Sequence, residues 1–356
     1  MLDNVSQIFL RLFMLLFTGA CGYIGSSVAR YFLEYTAYKI WIVDNLSTGF
    51  AIHAEILKKL YPDRVYFDQI DLKESAKLEF ALQEKEAQGH QIIGVLHFAA
   101  KILVEESTHK PLEYYENNTL NTLKLAQLCL QHNIKYFLFS SSAATYKAST
   151  EPVSENAPLD PLNPYGASKM MSERMLLDIS LASALKCVIL RYFNVAGAIH
   201  FNDYKNALAL GQRTQNATHL IKIACECAVG KHLSMAIFGS DYPTPDGTCI
   251  RDYIHIDDLA LAHLEAFKTL LEKQTSEVYN VGYGRGYSVA EVINKVKEIS
   301  GVNFLVRKQG RRAGDPSSLI ANPHKILAQT AFKPRFCSLD LIVQSAYEWE
   351  KYLSKC

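Results

Sequence analysis

The stretch "LLFTGACGYIGSSVARYF", Leu15 to Phe32, constrains this chain more than any other: an apolar run breaks into three glycines and re-forms at once with helical spacing. Gly19 permits the tight turn, Gly22 lets backbone amides approach a pyrophosphate, and Gly25 lets helix and strand pack closely. An ordinary βα turn can carry such glycines, so the following strand decides. "KIWIVDN" ends in Asp44, about twenty residues on, where a carboxylate accepts hydrogen bonds from the ribose hydroxyls of a dinucleotide. An acid there repels a 2′-phosphate, so NAD is expected rather than NADP. Asp71, closing the third strand candidate, is within reach of an adenine amino group or caps its own loop.

Apolar β-type runs alternate with helix-length segments through the first half. The strand candidates are "LFMLLF", "KIWIVD", "VYFDQID", "GVLHFAA", "KYFLFSSS" and "KCVILRYFN". Helical spacing appears in "SSVARYFLEY", in "NTLKLAQLCLQHN" and from "YGASK" to about Leu185. This alternation predicts an α/β fold of Rossmann type, a doubly wound parallel sheet. After Asn194 the pattern turns irregular, then gives helices at "DDLALAHLEAF" and "SVAEVINKVKEIS". The expected division is residues 1–195 for the dinucleotide domain and 196–356 for a smaller α/β substrate lobe, with "SEVYNVG" free to return to either.

"NPYGASKMMSER" places Tyr165 four residues before Lys169 at the start of a helix. A phenol with a pKa of about 10 is a poor base near neutrality, and an ammonium one turn away on the same face favours its phenolate. Upstream, "FSSSAATY" ends a strand and offers Ser142 as a hydroxyl for a sugar oxygen. Glycine turn, strand-end serine and Tyr/Lys pair, in that order, predict a hydride-transfer site.

Composition excludes other classes. Lys plus Arg number 37 against 36 Asp plus Glu, with no long run of one sign, so neither nucleic acid nor an acidic membrane is an expected partner. The eight cysteines lack C-x-x-C or other paired zinc spacing, and no metal is expected; free thiols in a reducing cytoplasm fit them better. "IFLRLFMLLF" is broken by Arg11 and too short to span a bilayer, so it reads as a buried first strand, with the first eight or so residues as a loose extension before it.

With these motifs in order, the chain resembles the extended short-chain dehydrogenase/reductase family and, within it, the UDP-glucose 4-epimerases. The likeness rests also on "VDNLSTG", "KPLEYYENN", "RYFNVAGA", "YNVGYGRGYSV", "RRAGDP" and above all "IFGSDYPTPDGTCIRDYIHIDDLA". It implies interconversion of UDP-galactose and UDP-glucose through a transient 4-keto sugar and bound NADH, by a homodimer of galactose metabolism. It implies that Tyr23, Ile24, Asp44, Asn45, Asp71, Leu72, Phe98, Ala99, Ala100, Asn117 and Lys169 line the NAD site, with Tyr192 and Phe193 at the nicotinamide. Tyr165 would be the base and Ser142 its assistant. Asn194, His219, Leu220, Phe238, Arg251, Tyr253, Arg312 and Asp315 would hold the UDP-sugar, and Leu319 stands where pocket size decides whether N-acetylated sugars enter. The chain departs from the family pattern at Ile102, Lys147 and Asn121. A 4-epimerase of another UDP-sugar stays open; a 4,6-dehydratase would need acid/base groups where Ala143 and Ala144 stand, and a non-catalytic NAD sensor would not need the Tyr/Lys pair.

Overall fold

A computed structural model describes residues 13–199, 208–214, 217–312 and 314–355. The N-terminal extension and Cys356 lie outside them. Two compact units emerge: unit 1 comprises Met1–Ser141, Pro164–Leu190 and His263–Val278, and unit 2 comprises Ser142–Asn163, Arg191–Ala262 and Tyr279–Cys356.

The main sheet has seven strands, in spatial order Glu277–Val281, Lys186–Tyr192, Tyr136–Ser142, Gln91–His97, Phe13–Thr18, Lys39–Asp44 and Val65–Gln69. The five from Tyr136–Ser142 to Val65–Gln69 pair parallel, giving the doubly wound order expected of the sequence pattern. "FMLLFT" and "KIWIVD" are continuous apolar runs because both faces are covered: Met14, Leu16 and Trp41 are as fully buried as Leu15, Phe17 and Ile42. Each such side chain contributes about 1.5–3 kcal/mol by leaving water. "SEVYNVG" becomes the edge strand of this sheet.

Helices follow the first two strands at Tyr23–Tyr35 and Ala51–Leu60, and later ones at Ser75–Ala87, Asn121–Gln131 and Pro164–Ala182. The last opens with proline at its first position, where no amide hydrogen is needed, and ends at Ala182, just before Ser183, whose hydroxyl donates to the Ile179 carbonyl at 2.7 Å. Sequence periodicity gave no sign of the π-helical turn at Tyr115–Leu120, a conformation without a distinct apolar repeat.

Unit 2 holds a parallel pair, Ser234–Phe238 with Leu305–Gln309, and a small sheet in which Ile250–His255 lies beside Gly286–Ser288, Ser318–Leu319 and Asn194–Ala196. Its core joins Ile221, Cys225, Val292, Val296, Ile342 and Val343 from three helices. The helix read from "SVAEVINKVKEIS" spans Val289–Ser300. Ser288 caps it through a reciprocal box with Glu291, and Gly301, at φ 69°, ends it.

Candidate functional site

In unit 1 the site forms where the sheet order reverses, between the ends of Phe13–Thr18 and Gln91–His97. Gly19 follows the first at φ +74°, and a Cβ there would lie 2.4 Å from the Ala99 amide nitrogen, so no other residue fits without moving the backbone. At Gly25 a Cβ would meet Ala20 Cα and Gly19 O at 2.7 Å. Gly22 is the N-cap of Tyr23–Tyr35 and supplies no side-chain cap, nor is there an acid in the first turn. The amides of Tyr23, Ile24 and Gly25 therefore start the helix as anion donors, with Tyr23 and Ile24 half-buried.

Asp44 ends its strand nearly buried, accepting the Cys21 amide at 2.9 Å and the Leu46 amide at 2.8 Å. Burial pushes its carboxyl up, and those two amides oppose the shift. Asn45 donates to the Asp71 carboxylate at 2.8 Å. Burial pushes that carboxyl up as well, but the Lys73 amide, Asn45 and the Lys73 ammonium outweigh it and hold Asp71 below the usual range. Leu72 packs in the unit 1 core, and Phe98 stacks on Phe17 at 6.0 Å, beside half-buried Ala99 and Ala100. Asn117 lies in the π-helical turn and donates to Asn118 at 3.1 Å. These groups fit a dinucleotide: a cradle closed to any Cβ, an uncapped helix start for its pyrophosphate and a strand-end acid for its ribose.

Tyr165 and Lys169 sit one turn apart near the start of Pro164–Ala182. Lys169 is 3 % exposed; its Nζ donates to the Ser140 carbonyl at 2.8 Å and lies 4.9 Å over the Phe139 ring. Burial lowers its pKa to about 7, with Glu173 acting in the opposite sense. The Glu173 carboxylate accepts the Ser141 hydroxyl.

Sequence reasoning passed over two further groups here. Buried His97 is neutral with its proton on Nε2: Thr122 Oγ1 donates to the Asn118 carbonyl at 2.5 Å and so accepts from Nε2 at 3.0 Å, leaving Nδ1 to accept from Thr18 at 2.6 Å. Desolvation, then Lys169, brings its pKa to about 3. Asn118 accepts the Lys101 amide at 2.8 Å and donates to Ser168 at 3.0 Å, and Ser168 donates to the Tyr165 carbonyl at 2.7 Å. The doubled asparagine in "YYENN" was the available signal. Lys101 itself pairs with Glu113, and Ile102 is exposed.

The other named residues belong to unit 2. Ser142 Oγ accepts the Ala144 amide at 3.1 Å, which leaves its proton to donate. Tyr192 and Phe193 are buried, and Phe193 packs with Ala143, Tyr146 and Ala321. Five residues converge. Arg312 pairs with Asp315 at 3.0 Å and lies 4.7 Å over the Phe238 ring, Arg251 reaches Asp315 at 3.8 Å, and Leu319 pairs with Arg251 in the ladder. Asn194 donates to the Asp252 carbonyl at 3.1 Å and pairs with Tyr253 in the sheet. Tyr253 and Leu220 pack in the unit 2 core, while His219 bonds Gln212 at 3.0 Å.

Residues 15–282 match the model of the NAD dependent epimerase/dehydratase family. The chain belongs to that family. It is 44% identical to a UDP-glucose 4-epimerase of Azospirillum brasilense, over 96% of this chain and 92% of the relative. Among solved structures it resembles the UDP-Glc/GlcNAc 4-epimerase from Campylobacter jejuni at 46% identity and a TM-score of 0.80, covering 96% and 99% of the two chains. A UDP-glucose 4-epimerase from Bifidobacterium longum in complex with NAD+ and UDP gives 33% and 0.86 over 95% and 98%. Among the described residues no cluster of His, Cys, Asp and Glu could hold a metal ion, and no helix is long and apolar enough to cross a membrane.

Proposed function

We propose that the protein is a UDP-glucose 4-epimerase, interconverting UDP-galactose and UDP-glucose with NAD held by unit 1. The observation that carries this reading is Lys169: a buried ammonium bonded to a backbone carbonyl, one turn from Tyr165, in the unit that carries the glycine cradle. When bound, NAD would supply a hydride acceptor for the sugar C4 and, once reduced, a hydride donor to the transient 4-keto sugar. Tyr165 Oη takes the proton of the 4-hydroxyl and gives it back, with the Lys169 charge favouring the phenolate. Ser142, its proton uncommitted, is the hydroxyl read as assisting at the sugar. The cradle amides and Asp44 orient the dinucleotide, and Arg251 and Arg312 neutralise the sugar's diphosphate.

Incubation with UDP-galactose, without added hydride donor, is expected to yield UDP-glucose; absence of conversion in the presence of NAD rejects the assignment. UDP-N-acetylgalactosamine in parallel reports breadth, and its conversion is expected because Leu319 is smaller than an aromatic residue and the Campylobacter relative is named for both sugars. The enzyme is read as a cytoplasmic homodimer of galactose metabolism. Support for the dimer comes from Leu112, Leu120, Met171 and Leu181, exposed apolar side chains on the turns around Tyr115–Leu120 and on Pro164–Ala182. A monomer mass in sedimentation equilibrium would reject it.

A further inference from the structure

The longest motif in the sequence, residues 237–260, carries far more than Arg251 and Tyr253, and its first half forms a loop from Phe238 back to Ile250. Gly239 adopts φ +83°; a Cβ there would lie 2.3 Å from the Tyr242 ring and 2.9 Å from Arg311 Cγ. The nearly buried Tyr242 ring thus lies directly against the backbone that follows Phe238. Arg311 closes over it, its guanidinium 4.2 Å from the ring centroid, and is fixed in that plane by bonds from Nε to the Asp241 carboxylate at 2.8 Å and from Nη2 to the Asp241 carbonyl at 2.5 Å. Its neighbour Arg312 stacks on Phe238. Two consecutive arginines therefore hold two rings at the ends of one five-residue turn.

The far side of the loop is also tied. Tyr242 and Gly247 close a turn at 2.9 Å, and a Cβ on Gly247, at φ +78°, would meet the Ser240 carbonyl at 2.4 Å. Asp246 accepts the Thr248 amide at 2.8 Å and the hydroxyl of Ser288, the helix cap. Arg251 emerges three residues after Thr248, so the loop sets where this arginine of the Asp315 group begins.

We propose that Tyr242 and Arg311 are positioning residues for the nucleotide half of the site: without touching a nucleoside diphosphate, they hold Arg312 and Phe238 at the separation that ligand needs. This rests on the nucleotide-sugar reading above. Removing the Arg311 stack frees Arg312 to leave Phe238, which loosens ligand binding without altering proton transfer at Tyr165.

The test is calorimetric titration of UDP into NAD-loaded wild-type protein, Arg311→Ala, Tyr242→Leu and Tyr242→Phe, with kcat and KM for UDP-galactose alongside. Arg311→Ala and Tyr242→Leu are expected to weaken UDP about threefold to tenfold, the range of one cation–π contact, and to raise KM equally with kcat within about twofold. Tyr242→Phe, which keeps the ring, is expected to bind as wild type does. The half-exposed Arg311 tolerates truncation, so its variant reports even if Tyr242→Leu fails to fold. Wild-type affinity in Arg311→Ala, or a fall in kcat matching the rise in Kd, overturns the proposal. Failure of the wild-type protein to bind UDP overturns the nucleotide-sugar reading and this proposal with it.

Discussion

Lys169 in unit 1 and Lys222 in unit 2 are both almost fully buried, and their surroundings differ in kind. Lys222 meets two carboxylates, Glu350 at 2.6 Å and Glu226 at 3.1 Å, and Lys231 adds a second cation to Glu350 at 2.8 Å. Lys169 has a carbonyl and the face of a ring. A buried charge whose task is structural is neutralised where it lies. One whose field must act on something else is compensated only in part, here by Glu173 acting against burial, and its lowered pKa records the cost.

Substitution of the two lysines separates these roles, and the largest effect falls on catalysis. Lys169→Met, like Tyr165→Phe, is expected to lower kcat by about 10³-fold, within the range of general acid–base contributions. The melting temperature of Lys169→Met at pH 7 should match or exceed that of the wild type, because a desolvated charge has been removed. The sign follows from linkage. A lysine with a depressed folded-state pKa contributes stability that is complete above its unfolded value and is lost as pH falls toward about 7. A large fall in melting temperature would show that Lys169 is structural after all, and the contrast with Lys222 would collapse.

Glu350→Gln should reverse the pattern. It leaves Lys222 with Glu226 alone inside the core of the Leu339–Leu353 helix region, and breaking a buried pair costs about 3–5 kcal/mol. Denaturant unfolding is expected to show a loss near the lower figure, since Glu226 remains. The kcat of the folded fraction should be unchanged. Unaltered stability would mean that the Lys222 cluster is no more than a replaceable contact.

Each unit also buries a neutral histidine, His97 and His255, whose pKa values burial lowers to about 3. Their contribution is complete above pH 6.5 and is lost as pH falls through 3, so stability should decline across that window. His97→Gln should reduce the slope there by about 1.4 kcal/mol per pH unit, one proton's worth. An unchanged slope would mean that His97 titrates normally in the fold.

The same two lysines mark how far the sequence could be read. Lys169 was legible because its chemistry is local: a tyrosine one turn away, a proline to start the helix and a glycine turn before it in the chain. The doubly wound parallel sheet was legible for a similar reason, since strand and helix alternate with apolar runs too continuous for exposed strands, whereas the place of "SEVYNVG" as its edge strand was not. Lys222 was not. Glu350 lies 128 residues away, and nothing in "LIKIACECA" or "SAYEWEKYL" says that the two will meet. Asn118 and His97 were hidden similarly, as single polar residues whose partners come from other strands and helices. The Arg251–Asp315–Arg312–Phe238 group was named through family likeness alone, because surface arginines of this kind carry no periodicity of their own.

Lys231 offers the finest test, because it shares Glu350 with Lys222 at nearly the same distance and differs chiefly in exposure: its side chain is 34% accessible against 4% for Lys222. Water around Lys231 screens the attraction and already solvates much of the ammonium, so Lys231→Met should cost only about 0.5–1 kcal/mol. Glu350 keeps its tighter partner, and no buried charge is stranded. The small loss should also shrink as salt is raised from about 0.05 to 0.5 M, since the Debye length falls below the spacing of exposed charges, whereas the Glu350→Gln loss should hold. Equal salt sensitivity of the two variants would show that the cluster is open to solvent throughout, and that burial is not what distinguishes its members from one another or from Lys169.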